Sequence, residues 1–183
     1  MIVIVSNYRT GSTTLARSLG GTGKEHLHPY RDGEDSEAKF IGPNNQKVFK
    51  VMPDHWKYEE HWDEFKQLYL EPAEKIYITA RKDFDAQVSS MVYSATTWDW
   101  HPGERDIYGR VKYFNEQEYK NWGENFAKQF IKNLEWQRKV YDEFDCELVW
   151  LEDRYDKEVK YNRKYHVTLP KQNFGVDVEA VFK

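Results

Sequence analysis

With 183 residues the chain has the length of one domain, enough to enclose a core and too short for two full ones. Aromatic residues, 16% of the total, supply apolar area to a chain that is 39% hydrophobic and 32% charged, and a net charge of -4 with both signs interspersed excludes a general field for nucleic acid or an anionic membrane. Cys146 is the single cysteine, which excludes a disulfide framework and a cysteine-based zinc site; with no basic leader and no apolar run of about 18 residues, a cytoplasmic setting without a membrane anchor is expected.

Ile2 to Val5 is a β-branched run suited to a strand buried on both faces, and it breaks at Ser6-Asn7 into a Gly-containing turn. A helix follows from about Ser12 to Leu19, stopped by Gly20-Gly21. Lys24 to Gln46, rich in Gly, Pro, His, Asp and Asn, reads as loop, and Lys47 to Val51 as a short strand closed by Pro53. Tyr58, Trp62, Phe65 and Leu68 recur at spacings of 4, 3 and 3, the stripe of an amphipathic helix. Lys75 to Ala80 is a second clear strand with Arg81 at its carboxyl end, and Phe84, Val88, Met91 and Val92 mark a helix over Asp83 to Tyr93. Ala95 to Glu118 holds Trp98, Trp100, Tyr108, Tyr113 and Phe114 without periodicity, a length that points to a functional or mobile segment. Tyr119, Trp122, Phe126, Phe130, Leu134, Tyr141 and Phe144 mark a long helix, and Glu147 to Leu151 a further strand. Strands alternating with helices predict a single α/β domain over residues 1–183, a parallel sheet with helices on both faces.

The strand running into Tyr8-Arg9-Thr10-Gly11-Ser12-Thr13-Thr14 and then a helix gathers backbone N–H groups, hydroxyls and one guanidinium around a point, the composition of an oxyanion site. Gly11 admits close backbone approach. A Walker A loop would need a Gly-Lys-Ser/Thr ending, and here Ser12 follows Gly11 directly, so an ATP or GTP phosphate loop is disfavoured. Helix capping is the competing use of Ser12, Thr13 and Thr14.

A second constellation lies at Arg81, delivered to the carboxyl edge of the sheet where open α/β sheets bind ligands, with Ser89 eight positions later. Arg-Lys-Asp-Phe-Asp-Ala-Gln-Val-Ser, together with Arg-Thr-Gly-Ser-Thr-Thr, resembles the sulfotransferases that use 3'-phosphoadenosine-5'-phosphosulfate. The resemblance covers roughly residues 1–94, and more weakly 146–153, where Val149-Trp150-Leu151-Glu152-Asp153 looks like the strand and acidic pair late in that fold. It implies a three-layer, P-loop-like α/β fold of sulfotransferase type and transfer of a sulfuryl group to a hydroxyl or amine acceptor. By that resemblance Arg9 contacts the bridging or sulfuryl oxygens, Thr10, Gly11, Ser12, Thr13 and Thr14 hold the 5'-phosphate, and Arg81 with Ser89 holds the 3'-phosphate. Lys50 either touches the sulfuryl oxygens or is a strand-end surface lysine.

Two departures matter. Where the cytosolic small-molecule branch carries a basic histidine, this chain has Met52; the branches that use a glutamate just after the first helix make Glu25 the matching base, with His26 and His28 on the same loop as competitors. The usual C-terminal Arg-Lys-Gly loop has no clear equivalent, and Arg163, Lys164 and Lys171 are substitutes to be weighed against a solvated basic surface. No metal is expected, because the histidines show no ligand spacing with cysteine, a loop site at His26 and His28 being the alternative. The acceptor is a small molecule, carbohydrate or peptide. A nucleotide kinase-like phosphate-loop enzyme and a non-catalytic anion- or carbohydrate-binding module remain the alternatives.

Overall fold

A computed structural model describes residues 1–21, 23, 25–26, 47–53, 58–97, 116–154 and 172–183, with backbone alone at 25–26, 58–59 and 96–97. Five strands, β1 (Ile2–Ser6), β2 (Glu25–His26), β3 (Val48–Val51), β4 (Lys75–Ala80) and β5 (Cys146–Trp150), form one all-parallel sheet in the order β2-β3-β1-β4-β5. The helices are α1 (Ser12–Ser18), α2 (Tyr58–Phe65), α3 (Phe84–Thr97), α4 (Glu116–Glu143), and the single turns α5 (Leu151–Arg154) and α6 (Val178–Val181).

β1 is central, and its Val3, Ile4 and Val5 are fully buried because the two faces of the sheet are covered separately. On one face Ile4 and Val48 meet Leu15 and Ala16 of α1. On the other, Val3, Val5, Phe49, Val51, Ile76 and Ile78 pack with residues of α2, α3 and α4. Aromatic area fills much of this second layer: Phe130 lies 5.8 Å from Tyr8, 6.4 Å from Phe84 and 6.3 Å from Phe126. The C-terminal turn joins the same layer through Phe182, which meets Tyr141 and Trp150 edge-on at 5.6 and 6.0 Å.

Two expectations change. Glu25–His26, expected as loop, adds a two-residue edge strand paired in register with Lys50 and Val51. The Tyr58/Trp62/Phe65/Leu68 stripe breaks at its last member, because α2 runs into a π-helical turn over Lys66–Leu70, closed by Glu71 N to Lys66 O at 2.9 Å. The wider turn moves the buried face on by one residue, so Tyr69 and Leu70 enter the core while Leu68 is 39% exposed. No helix among the described residues is long and apolar enough to cross a membrane.

The chain leaves β1 toward β3 and leaves β4 toward β5, so the two connections diverge between β1 and β4. In open α/β sheets the crevice at such a divergence, outside the carboxyl ends of the strands, is where ligands bind.

Candidate anion-binding site

At that crevice β1 ends on Ser6, opposite Thr79 of β4, and the chain turns through Asn7 to Gly11 into α1. Asn7 is fully buried and its amide is engaged three times: Nδ2 donates to Phe130 O at 3.0 Å, and Oδ1 accepts from Tyr8 N at 2.9 Å and from Asn133 Nδ2 at 3.2 Å. Gln137, one turn beyond Asn133 on α4, donates through Nε2 to Val5 O and Thr79 O, both at 3.0 Å. These amides tie α4 to the main chain of β1, β4 and the loop after β1.

The loop alternates in handedness. Arg9 has φ 59° and Gly11 φ 76°, with a negative φ at Thr10 between them. Backbone of alternating hand turns successive N–H groups toward a common concavity suited to an anion. Gly11 accommodates the left-handed conformation freely, whereas for arginine it is uncommon and must be held by its surroundings. Arg9 Nε donates to Ser90 Oγ at 2.9 Å and Gln87 Nε2 donates to Tyr8 O at 2.7 Å, so α3 grips the loop on two successive residues. No side chain caps α1 at Gly11, so capping does not account for the hydroxyls that follow it.

Those hydroxyls differ in what they offer. Thr10 is buried, and its hydroxyl donates to Asn7 O at 2.8 Å; with that proton committed, the 2.8 Å contact with Thr79 Oγ1 is donated by Thr79. Thr10 therefore contributes backbone, not its hydroxyl proton, to any ligand. Thr13 is the reverse case: Oγ1 accepts from Lys50 Nζ at 2.9 Å, which leaves the Thr13 proton to donate. Ser12 is buried and Thr14 exposed. Lys50 itself is only 3% exposed, which excludes the surface-lysine reading and brings a cation from β3 to the first turn of α1.

Glu25, in β2, sits opposite Lys50 in the backbone register, with His26 opposite Val51, so the residue expected as base starts one strand away from the lysine. Arg81 follows the end of β4. Its Nε is buried without a hydrogen-bond partner and lies 3.7 Å from Glu152 Oε1. The Glu152 carboxylate accepts from the backbone N–H of Lys82 at 3.1 Å and of Asp83 at 3.2 Å, so it is tied to the turn before α3. Among the described residues no hydrogen bond joins Arg81 to Ser89, which is half-buried on α3. Adjacent helix positions diverge by about 100°, and it is Ser90 that faces the loop.

His28, Arg163, Lys164, Lys171 and the aromatic residues Trp98, Trp100, Tyr108, Tyr113 and Phe114 lie outside the described residues. Sequence reasoning missed Gln87, Ser90, Asn133 and Gln137. A buried amide and a surface amide look alike in a helical pattern, and only the polar residues recurring at Gln87 and Ser90, three apart on the apolar side of α3, hinted at a second use. Comparisons with protein-family models, curated proteins and solved structures find no match.

Proposed function

We propose that the protein is a sulfotransferase that takes the sulfuryl group of 3'-phosphoadenosine-5'-phosphosulfate and passes it to a hydroxyl or amine acceptor. The observation that carries this reading is the contact between buried Lys50 and Thr13 Oγ1, which adds a second cation to a loop that already holds Arg9 and alternating backbone. An oxyanion carrying several charges, the end of a phosphosulfate, suits two cations and convergent N–H groups.

In this reading the donor supplies a sulfuryl group already activated by its phosphate leaving group. One S–O bond, to the donor phosphate, breaks; one forms, to the acceptor oxygen or nitrogen; and the acceptor proton passes to a base. Such a reaction asks the protein for alignment and charge neutralisation more than for covalent work. Lys50 and Arg9 would balance charge as it develops on the leaving phosphate, Thr13 would donate its free proton to a phosphate oxygen, and Glu25 would take the acceptor proton. Arg81, which follows β4 at the carboxyl edge of the sheet and pairs there with Glu152, is the group that would take the 3'-phosphate through the rest of its guanidinium.

Lys50 also favours a second reading. A lysine supplied by a neighbouring strand replaces the one absent from the loop, so a phosphate-loop enzyme acting on a nucleoside triphosphate would use the same loop. Calorimetric titration separates the two. Adenosine 3',5'-bisphosphate is expected to bind and to raise the melting temperature, with ATP much weaker. Tighter binding of ATP than of the bisphosphate would favour the phosphate-loop enzyme and refute the sulfotransferase. Labelled donor with a panel of hydroxyl and amine acceptors then tests turnover.

A further inference from the structure

We infer that Gln87 is a positioning residue of the anion loop: it sets the orientation of the Tyr8–Arg9 peptide and thereby holds Arg9 in its left-handed conformation. The inference rests on reading that loop as an anion site. Gln87 is 1% exposed, in the first turn of α3, and its Nε2 donates to Tyr8 O at 2.7 Å, among the shortest contacts the loop makes. The peptide bond is trans and planar, so a carbonyl turned toward α3 turns the N–H of the next residue the opposite way. Gln87 therefore points Arg9 N–H away from α3. Arg9 has φ 59°, a conformation that the chain gives up by rotating this same peptide.

The helix acts twice on neighbouring groups. Gln87 holds the peptide before Arg9, and Ser90, three residues on and therefore on the same side of α3, takes the Arg9 side chain at Nε. A hydrophobic residue at position 87 would fill the space and keep the core, yet take from Tyr8 O the hydrogen bond that Gln87 donates. The peptide would then turn to find another partner, Arg9 would relax out of the left-handed region, and the alternation of hand over Arg9, Thr10 and Gly11 would be lost. The cost falls on anion affinity beyond any cost to folding.

Two variants test this. Gln87→Met keeps length and removes the donor; Gln87→Glu keeps shape and replaces the donor by an acceptor. Each is titrated with adenosine 3',5'-bisphosphate and with inorganic pyrophosphate by calorimetry, melted without ligand, and compared with wild type in spectra of protein labelled with 15N-arginine, in which the Arg9 amide is assigned by its loss in Arg9→Lys. Both variants are expected to bind each probe about 10-fold or more weakly, with the Arg9 amide resonance displaced before ligand is added. Unchanged affinity and an unmoved Arg9 resonance, with or without a lower melting temperature, overturn the inference and reduce Gln87 to a core contact. If wild type binds pyrophosphate but not the bisphosphate, the sulfotransferase reading fails while the role of Gln87 is still decided by the pyrophosphate arm. If wild type binds neither, both fall.

Discussion

Replacing Lys50 by methionine separates the two things a buried lysine does. Lys50 is 3% exposed, with Nζ 2.9 Å from Thr13 Oγ1. In the ligand-free protein methionine fills similar volume within the core, so Lys50→Met is expected to keep the fold. The loss is expected on anion binding. A unit charge about 4 Å from an anionic oxygen contributes about 4 kcal/mol at an effective dielectric of about 20, and the net value for a charge-assisted hydrogen bond is about 1.5–3 kcal/mol once desolvation is subtracted. That corresponds to a loss of about 10- to 150-fold in affinity for adenosine 3',5'-bisphosphate or the donor. Calorimetric titration gives the affinity and a thermal melt without ligand gives the stability. A variant that melts much earlier yet binds the bisphosphate as wild type does would show that Lys50 is a structural residue and that no anion sits at Thr13.

Three further outcomes are expected. Arg81→Ala should weaken adenosine 3',5'-bisphosphate by about 10- to 100-fold and leave adenosine 5'-phosphate unaffected, because it removes the guanidinium at the end of β4 while Glu152 stays held by the Lys82 and Asp83 N–H groups; the opposite pattern in paired titrations would exchange the two phosphate sites. Glu25→Gln should lower the transfer rate by about 100-fold or more with donor affinity intact, and His26→Ala and His28→Ala should cost less; normal turnover in the glutamine variant beside a dead histidine variant would move the base to that histidine. Burial pushes the Cys146 thiol up from 9.0 to about 12, with Asp145 adding to the rise, and burial pushes Tyr69 up from 10.0 to about 12, with Glu64 adding. Both groups stay protonated in the folded chain at a pH where the unfolded chain has released the proton, so stability should be fully present below about pH 9 and fall as pH rises toward 12; denaturant midpoints that stay flat over that range, or that fall just as steeply in Cys146→Ser, where only the Tyr69 share remains, would contradict it.

The core elements were legible because their signals are local. Four β-branched residues at Ile2 to Val5 and the aliphatic spacing of α3 require burial wherever the chain puts them, and Arg-Thr-Gly-Ser-Thr-Thr falls between a strand and a helix as its neighbours predict. That Arg9 and Gly11 fall in the turn after β1 and Thr13 in the first turn of α1 was legible for the same reason. A parallel α/β arrangement, and the hydroxyl-rich turn between β1 and α1, could thus be read from the residues alone. Which groups from distant segments gather beside that turn follows from packing in three dimensions. Lys50 reads equally as a surface or a buried lysine until β3 lies beside β1, Leu68 reads as core until a π turn shifts the face, and Ser89 and Ser90 are indistinguishable until α3 is rotated against the loop. Asn133 and Gln137 look like ordinary polar positions on a long helix, yet each is buried and bonded to residues more than 50 positions away. The physical reason is one of range: strand and helix periodicity arises from neighbours along the chain, whereas hydrogen-bond partners for amides and charges are chosen by packing.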